Sequence, residues 1–252
     1  MEKIGIIIQA RTGSERLPKK VIKKIAGKTV LELIIERIKN VKKIQRIILA
    51  TTSKKEDDIL EEIAKDCGID VFRGSEEDVL DRFYQAAKLY GLDHIVRITG
   101  DCPLIDFNIV GDTVEFYLKG NFDYVGNSHP PTFPDGMDVE VIGFKSLEKI
   151  WKNAADPSDR EHVTSYVFRD KNNFNSGNLE SEEDFYDLRL TLDEEKDLTL
   201  IKEIYKKLYK KNPKFGLKDI TELLVENPEL IKINQEINSK PISRWQKDQK
   251  SL

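Results

Sequence analysis

Cations crowd a glycine near the start of the sequence, where Arg11, Arg16, Lys19 and Lys20 surround Gln9-Ala10-Arg11-Thr12-Gly13-Ser14. Small side chains leave backbone N–H groups free to form an anion-binding concavity. An Arg fork grips two phosphate oxygens, and a Lys adds a mobile point charge. This is the chemistry of a polyphosphate cradle, although the G-x-x-x-x-G-K-[ST] spacing of the P-loop is absent. A second group is Thr99-Gly100-Asp101-Cys102-Pro103. A carboxylate fixed between Gly and Pro at a strand end suits a hard cation such as Mg2+, which needs only one or two carboxylates when substrate phosphates complete its shell. Asp101 is therefore a candidate metal ligand. Asp138 and Glu140, two apart in Gly136–Val141, would share one face of a strand. Such a pair binds sugar hydroxyls, assists a metal or forms a surface salt bridge. Of the three histidines, His162 falls in the first turns of a helix beginning at Asp156 or Ser158, whose N-terminus favours anions.

These residues need a frame that brings them together. Ile4, Ile6, Ile7 and Ile8 form the β-branched run of a strand covered on both faces. Helical periodicity follows from Val30 to Val41, with a capping-box spacing at Thr29 and Glu32. Ile44–Thr51 reads as a second strand, Glu56–Cys67 as a helix and Ile69–Arg73 as a third strand. Three βα units in about ninety residues predict a parallel sheet. Strand four, His94–Ile98, delivers Asp101, and Asp106 caps the helix after it. Phe122–Asn127 is a fifth strand. The proline-rich loop His129–Asp135 reads as an active-site lid or a surface segment. A helix at Ser146–Ala155 precedes the His162 segment. Phe185–Thr191 is expected to be a strand leading to Asp193, which, on spacing alone, reads as a helix N-cap. Helices at Leu198–Tyr209, Leu217–Glu226 and Pro228–Gln235 complete the packing, and 238–252 is polar and aperiodic.

Composition narrows the partners. With 39% hydrophobic residues in 252, the chain can bury a full core. A net charge of −4 gives no basic field for nucleic acid. No apolar stretch approaches the roughly 20 residues of a membrane span. Cys67 and Cys102 have neither CxxC spacing nor a disulfide framework, which fits a reducing, cytoplasmic setting.

The run IIIQARTGSERLPKK closely resembles the N-terminal signature of the cytidylyltransferases that activate sugar acids, A-R-x-x-S-x-R-L-P-x-K after a first strand. The resemblance implies that Arg11 and Lys20 contact a triphosphate, with Ser14 and Arg16 as lesser contacts, and that the Ala10 backbone lies near the base. The family usually carries Gly at the position of Lys19, which stays outside the assignment. Gly74–Phe83 resembles the G-S-x-x-D-V-L-x-R-[FY] segment of the spore-coat polysaccharide SpsF-type branch, implying that Asp78 and Arg82 touch base or ribose. Gly100–Ile105 matches the family's metal-binding turn, which implies Asp101 as the first Mg2+ aspartate. P-[DE]-G-x-D-V-E-V and R-E-H-V-T match the same branch and imply that Asp138, Glu140 and His162 face the acceptor, His162 as base or substrate ligand. Thr191–Leu198 resembles the turn bearing the second metal aspartate, here Asp193.

The resemblance covers roughly Ile4 to Ile237. It implies an α/β fold, a three-layer α/β/α sandwich with a mostly parallel, Rossmann-like sheet of the nucleotide-diphospho-sugar transferase type. One domain at 1–237 would carry a substrate-binding or dimerising insertion at 128–190. The implied enzyme uses Mg2+ to transfer CMP from CTP, or a nucleotide from another NTP, to a sugar acid or sugar derivative, releasing pyrophosphate. It is compatible with a homodimer. Arg160, Arg169 and Arg189 are available for an acceptor carboxylate. A glycosyltransferase using a nucleotide-sugar is the alternative reading, since Asp138-Val139-Glu140 imitates D-x-D, and a non-catalytic nucleotide-sugar-binding module is another. The cradle for a free triphosphate argues against the first, and two candidate metal aspartates argue against the second.

Overall fold

In the computed structural model, which describes residues 2–237, the isoleucine run is β1 (Ile4–Gln9), buried from Ile4 to Ile8. Successive side chains of a strand point to opposite faces, and here both faces are apolar. Ile6 and Ile8 enter one core, while Ile7 enters a second on the other side. The polar stretch at 238–252 lies outside the described residues.

After the cation-rich loop come a short hairpin, β2 (Lys24–Ile25) and β3 (Lys28–Thr29), and helix α1 (Val30–Ile38). The expected capping box is present: Thr29 Oγ1 accepts the Glu32 N–H at 3.2 Å and Glu32 accepts the Thr29 N–H at 2.6 Å. The βα succession continues through β4 (Arg46–Thr52), α2 (Asp58–Asp66), β5 (Asp70–Gly74), α3 (Val79–Tyr90), β6 (His94–Thr99) and α4 (Phe107–Lys119). Asp106 caps α4 through the Asn108 N–H at 2.8 Å and also accepts the Leu217 N–H at 2.7 Å. Then follow β7 (Tyr124–Gly126), β8 (Glu140–Gly143), α5 (Phe144–Asn153), α6 (Pro157–His162), α7 (Ser165–Arg169), β9 (Ser176–Asn178), α8 (Glu195–Leu208) and α9 (Leu217–Glu226).

Apart from the β2-β3 hairpin, the described strands form one seven-stranded sheet in the order β5-β4-β1-β6-β8-β7-β9. β1 pairs parallel with β4 and β6, and β4 with β5, whereas β8 runs antiparallel to β6 and β7. Residues of α1, α2, α4, α8 and α9 fill the core on one face, and those of α3, α5 and α7 the core on the other. This is the expected three-layer sandwich with a mostly parallel sheet. Among the described residues, no helix is long and apolar enough to cross a membrane.

Three local expectations are corrected. Phe185–Thr191 is not a strand: it buries Leu188 and Leu190 but finds only an isolated bridge between Arg189 and Asp135. Pro228–Gln235 is not a helix but ends in 3-10 turns at Ile231–Ile233 and Gln235–Ile237, tied down by the Asn234 side chain. Strand β8 starts only at Glu140, because the chain before it is gripped by Asn127, whose side chain bonds Met137 O and Val139 N, each at 2.8 Å. Asp138 therefore shares no strand face with Glu140.

Parallel order places the C-terminal ends of β4, β1 and β6 side by side, where ligands bind in open α/β sheets. The approach of β6 to β1 is close. Gly100 donates to Gln9 O at 2.8 Å, and a Cβ there would lie 2.7 Å from Ala10 Cβ. Gly100→Ala is expected to cost about 1–3 kcal/mol by overpacking. Gly111→Ala, within α4 and with nothing inside 4 Å, should gain roughly 0.5–1 kcal/mol from helix propensity. Urea denaturation of the two variants checks this; equal effects would refute the steric account.

Candidate active site

Lys20 sits between two aspartates. Its Nζ donates to Asp101 Oδ2 at 2.8 Å and to Asp193 Oδ1 at 2.7 Å, while Arg16 Nη2 lies 3.0 Å from Asp193 Oδ2. Burial works against the Lys20 ammonium, but Asp101 and Asp193 outweigh it and hold its pKa above the ordinary lysine value. Burial likewise opposes the Asp101 carboxylate, and Lys20 outweighs that, keeping Asp101 below the usual range.

The turn bearing Asp193 is docked directly on this point, with Leu192 N donating to Asp101 O at 2.8 Å. The N-cap of α8 is Glu194, so Asp193 is not spent on capping. Its position is set by Asp197, fully buried, whose Oδ2 accepts the N–H of Asp193 at 3.0 Å and of Glu194 at 2.9 Å. Asp197 is itself gripped by both arms of Arg189, at 3.0 and 2.9 Å, and by Asn234 at 2.9 Å. Two carboxylates converging on one cation are a hard-oxygen donor pair that fits Mg2+ when phosphate oxygens join it. Among the described residues there is no group of three or more His, Cys, Asp or Glu that could hold a metal ion.

The rest of the cradle is also counter-charged from within. Arg11 Nη1 donates to Glu76 Oε1 at 2.8 Å, and Glu76 pairs with Lys54 as well. Ser14 is half-buried and Ala10 buried, while Lys19, exposed, takes the left-handed conformation with φ 58°.

Several expected contacts are otherwise engaged. Asp78 caps α3 through the Asp81 N–H at 2.9 Å and is held by Arg160 Nε at 3.0 Å to each oxygen, so it locks α6 onto α3 while its side chain stays partly exposed. Glu140 is buried. It pairs with Arg97 and accepts Tyr124 Oη at 2.7 Å and Thr164 Oγ1 at 2.5 Å, which closes the acceptor-facing part expected for it. Burial pushes the Glu140 carboxyl up, but Arg97 more than offsets this and holds it low. Asp138 turns back to accept the Gly136 N–H at 3.1 Å. His162 is the last residue of the six-residue α6 rather than in a first turn, and it is exposed. The other histidines pack: His94 Nδ1 lies 3.0 Å from Tyr117 Oη, and the His129 ring centroid is 4.6 Å from that of Phe168.

Arg82 behaves differently. It is among the largest fully buried side chains, yet its Nε and Nη1 have no hydrogen-bond partner. Burial, with Arg11 nearby, pushes its pKa down to about 10. Arg97, unforeseen from sequence, also keeps a buried unpartnered Nε while its Nη2 donates to Gln9 Oε1 at 3.2 Å. Its signal was visible as a cation inside the otherwise apolar strand HIVRIT. By contrast Arg160, Arg169 and Arg189 are all paired with aspartates.

Comparison with known proteins finds relatives that span nearly the whole chain. A family model described as cytidylyltransferase matches residues 5–236. The chain is similar to an uncharacterised protein of Methanocaldococcus jannaschii, 45% identical over 95% of this chain and 97% of that one. It is also similar to the spore coat polysaccharide biosynthesis protein SpsF of Bacillus subtilis, 33% identical over 91% of this chain and 97% of that one. The solved structure of a cytidylyltransferase from Leptospira borgpetersenii superposes with a TM-score of 0.88 at 36% identity, covering 97% of this chain and 100% of that one.

The Lys20 bridge predicts a pH signature. The depressed Asp101 value stabilises the fold above the ordinary aspartate pKa of about 3.9, and that share is lost as pH falls through the lowered value. The raised Lys20 value stabilises it below about 10.4, a share lost as pH rises through the raised value. Lys20→Met should lower stability near neutrality by about 1–3 kcal/mol. Its acid-induced loss should begin at higher pH than in the parent, because Asp101 has lost its cation. Urea titrations from acid to neutral pH test this; an unshifted acid limb would contradict the electrostatic assignment.

Proposed function

This chain belongs to the cytidylyltransferase family, and we propose that it transfers CMP from CTP to a hydroxyl of an anionic sugar derivative, a sugar acid foremost, releasing pyrophosphate. The observation that carries this reading is the convergence of Asp101 and Asp193 on Lys20, beside a loop of further cations. A triphosphate entering the cradle offers Lys20, Arg16 and Arg11 anionic oxygens in exchange for Asp101, Asp193 and Glu76, and so frees the two aspartates. Asp101 and Asp193 would then hold Mg2+, whose charge neutralises phosphate oxygens.

The chain's own groups position and stabilise. In the proposed reaction the acceptor oxygen forms a bond to the α-phosphorus while the bond to pyrophosphate breaks, and the catalytic demand is electrostatic. Arg11 and Lys20 take up charge on the phosphates, with Ser14 and the backbone at Ala10 lining the nucleotide. The unpartnered donors of Arg82, within electrostatic reach of Arg11, supply a buried positive site that a phosphate oxygen would satisfy. His162 and Asp138 meet the acceptor, and the Arg97 Nε gives its anionic group a partner. Nucleotide-sugar glycosyl transfer would leave the triphosphate cradle without use.

Pyrophosphate release is the test, run with Mg2+, each of the four NTPs, and a panel of sugar acids, sugar phosphates and neutral sugars. CTP with an anionic sugar is expected to give turnover, and Asp101→Asn to reduce it by roughly 10²–10³-fold. Turnover with neutral sugars alone would remove the acceptor assignment. Preference for another NTP would remove CTP.

A further inference from the structure

We propose that Asp57 is a positioning residue for the triphosphate cradle, acting through Thr12; this rests on the reading of the loop as a nucleotide site. Asp57 closes a 3-10 turn, Lys55–Asp57, and is 1% exposed. By its place before α2 it should be a helix cap, but its side chain makes no capping hydrogen bond. Both oxygens go elsewhere. Oδ1 accepts the Thr12 N–H and the Thr12 hydroxyl, each at 2.7 Å, and Oδ2 accepts the Thr52 hydroxyl.

A buried carboxylate without a cation is tolerated only while its donors stay in place. Thr12 and Thr52 supply the hydrogen bonds of Asp57, and the Arg82 guanidinium adds only a longer-range attraction. Thr12 is thereby pinned at N–H and hydroxyl, and its carbonyl becomes the hub of the loop. It accepts the Ser14 N–H at 2.9 Å and the Lys19 N–H at 3.1 Å. One side of Thr12 is Arg11; the other, through the left-handed turn at Lys19, is Lys20. Asp57, 45 residues away in sequence, thus sets the spacing of the two principal phosphate cations without touching the phosphate itself.

Removing either end of the anchor separates positioning from plain stability. Asp57→Asn and Thr12→Val should raise KM for CTP about tenfold, the scale of one charge-assisted hydrogen bond, and leave KM for the acceptor within about twofold. Thr12→Ser, which restores the hydroxyl, should return KM for CTP to the parent value. Thr52→Val removes a bond to the same carboxylate from the strand side, so it should lower Tm without raising KM for CTP. If Thr52→Val raised KM as much as Thr12→Val, or Asp57→Asn left it unchanged, the proposal would be overturned. Hydrogen exchange of the Ser14 and Lys19 amides in the ligand-free protein is read in parallel. Faster exchange in Asp57→Asn and Thr12→Val, but not in Thr52→Val, supports the anchor; exchange at the parent rate in both overturns it. That arm stands even if the parent enzyme shows no turnover with CTP, which would count against the nucleotide assignment instead.

Discussion

Two carboxylates cannot be brought to one point in a half-buried pocket unless a cation stands between them, and Lys20 is that cation. Asp101 comes from the end of β6 and Asp193 from the approach to α8, 81 and 173 residues away from Lys20 respectively. The bridge therefore fixes three distant segments at once, and the neighbouring backbone reinforces it through the bond from Leu192 N to Asp101 O. Like charges at this range repel strongly in low dielectric. The same arrangement that solves the folding problem marks the proposed site: under that proposal, a place that accepts one cation from the protein would accept another once phosphates had drawn Lys20 away.

This economy extends around the loop. Arg11 is matched by Glu76 and Arg16 by Asp193, so the ligand-free protein does not present a bare field of positive charge. Such exposed pairs are individually worth little, which makes them replaceable. Phosphate oxygens can take over from carboxylates without a large penalty, whereas the deeply buried pairs, Arg189 with Asp197 and Arg97 with Glu140, are costly to break and act as framework. Burial thus marks the Arg11 and Arg16 pairs as exchangeable and the Arg189 and Arg97 pairs as framework.

The parts of the fold dictated by short-range chemistry were legible in the sequence. The isoleucine run of β1, the capping box at Thr29 and the βα alternation all rest on local spacing, and each appears where expected. The resemblance implied that Asp101 and Asp193 meet at one centre, but nothing in the sequence placed Lys20 between them. Features decided by tertiary partners were not legible. Alternating leucines at 188, 190 and 192 promised a strand, but the chain there meets only one neighbour able to bridge. Asp138 and Glu140 have the spacing of a strand face, yet Asn127 captures the backbone between them. Asp57 looked like one more acidic residue at a helix start, and nothing local signals that its carboxylate serves a loop 45 residues upstream.

The arginines illustrate how burial reverses a reading made from exposed chemistry. Arg160, Arg169 and Arg189 stand near the acceptor motifs in sequence, and a carboxylate-binding role seemed open to each. All three are occupied by aspartates that belong to the fold, so recruiting one to a substrate would strand an aspartate. Arg82, expected from the resemblance to touch base or ribose, lies on a helix, and Arg97, unforeseen, lies in a central strand. They alone among the five retain buried Nε donors without protein partners. Leaving such donors unmatched carries a free-energy cost, and an anion that met them would recover it. The cost is borne on the sheet face that carries Gln9, at the same end of the sheet as the phosphate loop. Under the proposed reaction, these buried donors would be met by anionic groups, so that the core as well as the surface would contribute to specificity for charge.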